Sequence, residues 1–409
     1  MTREFEKLIE LLRYAVFGKK SDVPLPDDLD DVFKLALKQG VFPLVYGALD
    51  EKIRKQYDPS WDQMFFRSVL GNEQKLAVLS GVIGALKKNG IEYCILKGCT
   101  AATNYYLPEY RISGDIDLYV KPEYEAQTSK LLEKLGFDVS PRPEGKQDFK
   151  ASGKGIGLVE VHVQLYGDDF SHIVLSDMFG ITEDFTETRI NDFLTVKALG
   201  PNDTLEFLTT HFIKHFVREG SGIRQITDLL AFVHKHRDEI DFEKYFERLE
   251  RVNFKRLILN VFGIGVRYFG LEIEEYSADM IEEIMDDVEA GENFGFGEAE
   301  RFGFYERFLK QKCTEDNPEE EKKLVKKKRK SIIRSVFLPT RRVLINKGYK
   351  YLEKNGIFYP VAYIHRLWDV VVAIALKRRN IKRDMNYAQK SNEVIEGRLE
   401  LMKKLDIIQ

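Results

Sequence analysis

Cysteine is nearly missing: Cys94, Cys99 and Cys313 are the only three in 409 residues. Three scattered thiols cannot build a disulfide framework or fill a four-ligand zinc site, and such sparing use fits a reducing compartment. A dominant charge is missing too, because 63 lysines and arginines face 66 aspartates and glutamates for a net of −3. There is therefore no global electrostatic case for holding nucleic acid. Long apolar runs are also absent. The most apolar window, Leu367 to Leu376, is interrupted by Asp369, whereas a bilayer-spanning helix needs about 20 mostly apolar residues. At the start of the chain Glu4 and Glu6 stand where a secretion signal needs a basic start and an apolar run. A cytoplasmic location is the expectation.

What is present is a long, charge-rich chain, 44% hydrophobic and 32% charged, with room for two or three domains. Residues 1–90 read as an N-terminal helical region: Phe5, Leu8, Ile9, Leu11 and Leu12 keep helical spacing, as do Leu76, Leu79, Val82 and Ile83, until Asn89-Gly90 stops the pattern. Residues 91–200 change character. Apolar alternation in 93–96, 116–120 and 158–163 predicts strands, with a helix over 123–135 stopped by Gly136, which makes a small α/β domain. From Pro201-Asn202-Asp203 the helical period returns, giving a helical domain over 201–314. Beyond an acid-to-base junction at 315–330, residues 315–409 form a basic C-terminal helical region; between 322 and 383, 19 lysines and arginines face only Glu353 and Asp369. Its apolar stripe, Val361 to Ala375, can lie on an anionic membrane or dock on the acidic stretch 274–300.

The sharpest feature is Arg111-Ile-Ser-Gly-Asp115-Ile-Asp117-Leu-Tyr-Val120. Side chains alternate along a strand, so Asp115 and Asp117 leave one face while Ile116, Leu118 and Val120 enter the core. The same alternation in 157–165 puts Glu160, His162 and Gln164 on one face. If the two strands are neighbours, three carboxylates converge. Their mutual repulsion calls for a compensating cation, Mg2+ or Mn2+, of the kind that shares itself with phosphates. On this reading neutral replacement of one acid relieves repulsion and raises stability without metal. A plain pair of strand-end aspartates is the alternative. Upstream, a strand runs into Lys97-Gly98-Cys99-Thr100, where a glycine turn lets backbone N–H groups approach phosphate and Lys97 adds a charge.

Taken in order, these features resemble the polymerase-β nucleotidyltransferase superfamily, and more closely its uncharacterised bacterial nucleotidyltransferase branch, with Lys97-Gly98, Arg111 ahead of Asp115 and Asp117, and Glu160-Val161-His162. The likeness runs on through His211 to His215, Ile226 to Leu229, Gly291 to Gly295 and Phe358 to Arg366. The resemblance implies an α+β chain in which a polymerase-β-like core with a mixed sheet is embedded among helices. It implies metal held by Asp115, Asp117 and Glu160, and transfer of a nucleoside monophosphate from an NTP to an unidentified acceptor with pyrophosphate release. Glu160 also assists deprotonation of the acceptor, and Lys97, Gly98 and Arg111 hold the triphosphate. Cys99 departs from the usual second glycine or serine, which leaves Thr100 to supply a hydroxyl. Two rivals stay open: a non-catalytic nucleotide sensor on the same fold, and an Asp-x-Asp glycosyltransferase, which needs an N-terminal parallel sheet where this chain reads as helices.

His211, Lys214, His215 and Arg218 fall at i, i+3, i+4 and i+7, one stripe of a helix whose buried side is Phe207, Leu208, Phe212 and Phe216. The stripe either reaches the triphosphate through Lys214 with histidine support or makes inter-helix hydrogen bonds. Zinc is disfavoured because no glutamate completes a protease signature. Arg224 and Asp228, at i and i+4, form a structural pair. Arg111 either offers a guanidinium fork to phosphate or is an exposed loop arginine, and His162 is a partner of the metal ligands, a substrate contact or a satisfied sheet histidine. Acceptor, preferred base, oligomeric state and pathway leave no mark in the sequence.

Overall fold

The computed structural model describes residues 1–19, 29–143, 146–153, 157–165, 185–218, 220–291, 359–362, 364, 365, 368 and 381–408. The charged junction at 315–330, residues 292–295, Phe358, Arg366 and most of the basic C-terminal stretch lie outside them. Residues 1–297 with 404–407 make one unit, and residues 298–403 with 408–409 make a second. Everything below concerns the first.

The opening apolar periodicity resolves into helices α1 (Arg3–Phe17), α2 (Asp30–Lys38), α3 (Phe42–Gly47), α4 (Glu51–Arg54) and α5 (Pro59–Lys88). Phe5, Leu8, Ile9, Leu11 and Leu12 all fall on the buried face of α1. The last helix stops at Asn89, whose amide bonds back into the final turn. No strand precedes Tyr93 among the described residues, so the N-terminal parallel sheet a glycosyltransferase needs is not found there.

The sheet then begins with β1 (Tyr93–Ile95), followed by the single turn α6 (Cys99–Ala102), β2 (Ile116–Val120), α7 (Glu125–Lys134), β3 (Asp138–Val139), β4 (Asp148–Gly153), β5 (Gly157–His162), β6 (Phe185–Arg189) and β7 (Thr195–Leu199). The strands lie in the order β3-β4-β5-β2-β1-β7-β6. The β2–β5 and β1–β7 pairs are parallel and the other four antiparallel, a mixed sheet. One face carries Ile116, Leu118 and Val120 of β2 and Val159 and Val161 of β5 into a core shared with Leu79, Val82 and Leu86 of α5. Burying that apolar row fixes the register, since a slip of one residue would turn it to the opposite face.

The opposite face is covered too. All five residues of β2 are buried, because α8 (Pro201–Arg218) lies on that side, with Phe207 packed beside Tyr119, Cys94 and Leu96. Helices α9 (Ile223–His236), α10 (Phe242–Arg251), α11 (Lys255–Ile264) and α12 (Ile281–Gly291) complete the described part of this unit. The predicted helix start at Pro201 is observed. The glycine turn at Gly98 leads into a single helical turn that ends at Ala102. No described helix is long and apolar enough to cross a membrane.

Candidate active site

Register alone assembles the centre. Asp117 on β2 stands directly opposite Glu160 on β5, and Glu160 opposite Lys150 on β4. His162 follows two residues on from Glu160 and shares its face. One potential ligand atom from each of Asp117, Glu160 and His162 lies within 4.8 Å of the other two. Asp117 is 1% exposed. Its Oδ1 is 3.4 Å from the Lys97 ammonium and 3.4 Å from His162 Nε2, and its Oδ2 has no hydrogen-bond partner. Burial pushes the Asp117 carboxyl up, but Lys97 and His162 outweigh it and hold the group below the usual carboxylate value.

The cluster is thus not a set of naked repelling acids. Lys97 faces Asp117, and the Lys150 ammonium is 2.6 Å from Glu160. These pairings oppose the effect expected from repulsion alone: neutralising Asp117 would also remove the counter-charge facing Lys97.

Two residues of α5 set the approach to β2. Lys75 donates to the carbonyls of Ser113 and Gly114, and the Asn72 side chain accepts from the Ser113 amide. Asp115 leaves this braced loop one position before the strand. It lines the cavity with Asp117 and Glu160, without joining the 4.8 Å group. On the other side of the loop Gly98 has φ +81°, and a Cβ there would meet the Ser113 Cβ at 3.3 Å. Glycine is required both for the turn and for this close approach.

The cavity holds about 630 Å³ and has two walls. The sheet supplies Lys97, Asp115, Asp117, Lys150, Glu160 and His162; α8 supplies Phe207, Thr210, His211, Lys214, His215 and Arg218; the β3–β4 connection adds Lys146 and Gln147. Lys97 joins the walls, its Nζ lying 3.3 Å from His211 Nε2. An ammonium has only hydrogens to give, so Nε2 accepts and the His211 proton sits on Nδ1. The His211 and His215 rings meet edge to face at 4.5 Å.

Burial, Lys97 and His215 hold the His211 imidazole well below its ordinary value, and burial and Lys19 lower His234. Both rings protonate more readily in the unfolded chain. Stability should therefore fall as pH drops below about 6.5. Thermal melts between about pH 7.5 and pH 5 should show a falling midpoint, with His211→Gln flattening part of the fall. If the two proteins follow the same curve, His211 is not held neutral by the fold.

Arg111 goes elsewhere. Instead of facing phosphate it is 4% exposed and forks onto Asp228 of α9, Nε to Oδ1 at 2.8 Å and Nη2 to Oδ2. The Tyr105 hydroxyl donates to the same Oδ1 at 2.8 Å. Burial disfavours both charges, but each partner outweighs that for the other, so Arg111 is raised and Asp228 lowered. Asp228 thus pairs across 117 positions, in place of the i,i+4 pairing expected with Arg224. A fork that meets both carboxylate oxygens beats a single helical neighbour. Gly98 and Thr100 are buried and do not line the cavity, and burial pushes the Cys99 thiol up to about 12, so it stays protonated.

Sequence reading missed Lys146, Lys150 and Thr210. Lys150 had a usable signal: the alternation Asp148-Phe149-Lys150-Ala151 ahead of β5 makes a hairpin that sets Lys150 against Glu160.

A mixed sheet bearing the buried Asp117 and the half-buried Asp115 and Glu160 under a cation-rich helical wall is consistent with a nucleotidyltransferase-type core. The chain belongs to a family described as uncharacterised nucleotidyltransferases, which matches residues 26–270, and the sheet with its flanking helices is the polymerase-β-like core. No curated protein matches significantly. No solved structure does either.

Proposed function

We propose that the protein transfers a nucleoside monophosphate from an NTP to a hydroxyl-bearing acceptor, with release of pyrophosphate, in a metal-dependent reaction. The observation that carries this reading is the buried Asp117, with an oxygen that has no protein partner, beside Glu160 on the floor of a cavity whose opposite wall is basic. Two carboxylates and an imidazole with ligand atoms within 4.8 Å of one another could draw onto one divalent ion, whose ligands about 2.1 Å from it are separated by about 3 to 4 Å. Asp117 and Glu160 would hold it, and Asp115 is the further carboxylate at hand. Such an ion neutralises phosphate charge and stabilises a leaving pyrophosphate.

The chain's own residues do the rest. Lys97, Lys214 and Arg218 supply positive charge to the triphosphate from both walls. His211, neutral and acceptor-bonded, fixes where the Lys97 ammonium points. Glu160 is the base for the acceptor hydroxyl once Lys150 releases it, being less deeply buried than Asp117. Gly98 acts indirectly, by letting its turn pack against the loop that carries Asp115.

The test is pyrophosphate release from each NTP with Mg2+ or Mn2+, against pooled small molecules, proteins and the chain itself as acceptors. NTP binding without release under any of these conditions would leave the non-catalytic sensor. Within this reading Lys214→Ala should weaken nucleotide binding by about 1.5 to 3 kcal/mol, the range for a hydrogen bond to a charged group. Its melting temperature should barely change. Unchanged affinity by titration calorimetry would take α8 out of the nucleotide site.

A further inference from the structure

We infer that His162 is itself a ligand of the bound ion, so that the centre selects a first-row transition metal such as Mn2+ over Mg2+. The inference rests on the nucleotidyltransferase reading and sharpens its metal site. Its ground is positional. Parallel pairing sets Asp117 against Glu160, and the next residue on the same face of β5 is a histidine. The ring brings a nitrogen into the 4.8 Å group that Asp115 does not join.

Two further observations point to a cation here. Asp117 is 99% buried by its 1% exposure, yet Oδ2 has no partner, and His162, 9% exposed, has none for Nδ1. Buried polar atoms are normally satisfied, so each exception requires an explanation. Meanwhile two ammonium groups, Lys97 and Lys150, sit on the other ligand oxygens. The site thus draws positive charge to Asp117 and Glu160, and the remaining unsatisfied atoms belong to Asp117 and His162.

The donor set then decides the class of ion. Mg2+ is hard, takes oxygen ligands and holds its waters, whereas an imidazole beside carboxylates favours first-row transition ions, of which Mn2+ binds most weakly and serves as the paramagnetic probe. The competing role for His162 is a hydrogen bond to Asp117 with no contact to metal. The 3.4 Å separation of His162 Nε2 from Asp117 Oδ1 suits two ligands sharing an ion as well as it suits that bond, and the bond alone leaves Asp117 Oδ2 without a partner.

The experiment uses the full chain, stripped of metal and titrated with Mn2+ with and without a non-hydrolysable NTP analogue. Bound ion is counted by electron paramagnetic resonance, and nitrogen contact is read from electron spin-echo modulation. The expected result is bound Mn2+ with directly coordinated ¹⁴N, replaced by ¹⁵N coupling when histidine alone is labelled. Mg2+ should displace it only in large excess. His162→Gln should lose the nitrogen signal and weaken Mn2+ binding by about 10- to 100-fold, the scale of altering a metal's immediate surroundings, with Mg2+ affinity little changed. His211→Gln should keep the signal.

Mn2+ bound without histidine nitrogen, or bound equally well by His162→Gln, overturns the inference, as does failure to bind Mn2+ at all. If His162→Gln does not fold, the labelled parent protein still decides the question. Pyrophosphate release supported by Mg2+ with no nitrogen-coordinated ion would overturn this inference and leave the nucleotidyltransferase reading standing. Nitrogen-coordinated Mn2+ without release for any NTP would do the reverse.

Discussion

Asp117→Asn should abolish metal-dependent transfer, lowering turnover by more than about 10³-fold, since a bound ion contributes several kcal/mol of charge stabilisation and about 1.4 kcal/mol is worth tenfold in rate. The same variant should melt lower than the parent even without metal. An amide leaves Lys97, 20% exposed, without the carboxylate 3.4 Å away, and a polar group left unsatisfied at such a site costs about 1 to 3 kcal/mol. Pyrophosphate release and thermal melts on one preparation check both halves. Retained turnover would end the metal mechanism. A raised midpoint would mean that carboxylate repulsion, and not the pairing with Lys97, dominates the apo centre.

The largest loss of stability should come from Arg111→Met. Removing one partner of a buried, forked ion pair costs about 3 to 5 kcal/mol, because Asp228 is left charged away from water. Adding Asp228→Leu should recover much of it, since replacing both partners by apolar groups is far cheaper than orphaning one. Denaturant melts of the two single variants and the double give the coupling directly. Because neither residue lines the cavity, nucleotide affinity should survive in the double variant. A fully stable Arg111→Met protein that no longer binds nucleotide would restore Arg111 to the phosphates.

How much was legible in the sequence depended on the range of the rule. Strand alternation placed Ile116, Leu118 and Val120 inside, and by the same logic grouped Glu160 with His162, because a two-residue period is enforced by the apolar core beneath. Helix edges at Asn89 and Pro201 were legible from local capping and breaker chemistry. Asp115 lines the same cavity as Asp117, as expected from the alternation, but it sits in a loop braced by Lys75 and Asn72 just ahead of Ile116. Arg111 was out of reach: its partner is 117 positions away, and no local pattern tells a guanidinium that meets phosphate from one that meets a buried carboxylate. The partners of the site acids, Lys97 across the β1–α6 turn and Lys150 across the hairpin, likewise depend on sheet order. Without that order the acids read as bare charges.

The Arg111–Asp228 fork and the bond from Tyr105 to the same carboxylate tie the segment between α6 and β2 to α9, and the Lys97–His211 contact ties the β1–α6 turn to α8. The cavity is therefore shaped like a riveted vice and not a hinged jaw. Swinging α9 away from the loop that carries Arg111 would require breaking this buried ion pair. The basic side chains of Lys146, Lys150, Lys214 and Arg218 are part of the cavity's lining. If the site takes a polyanion as proposed, attraction to that lining should weaken as ionic strength rises.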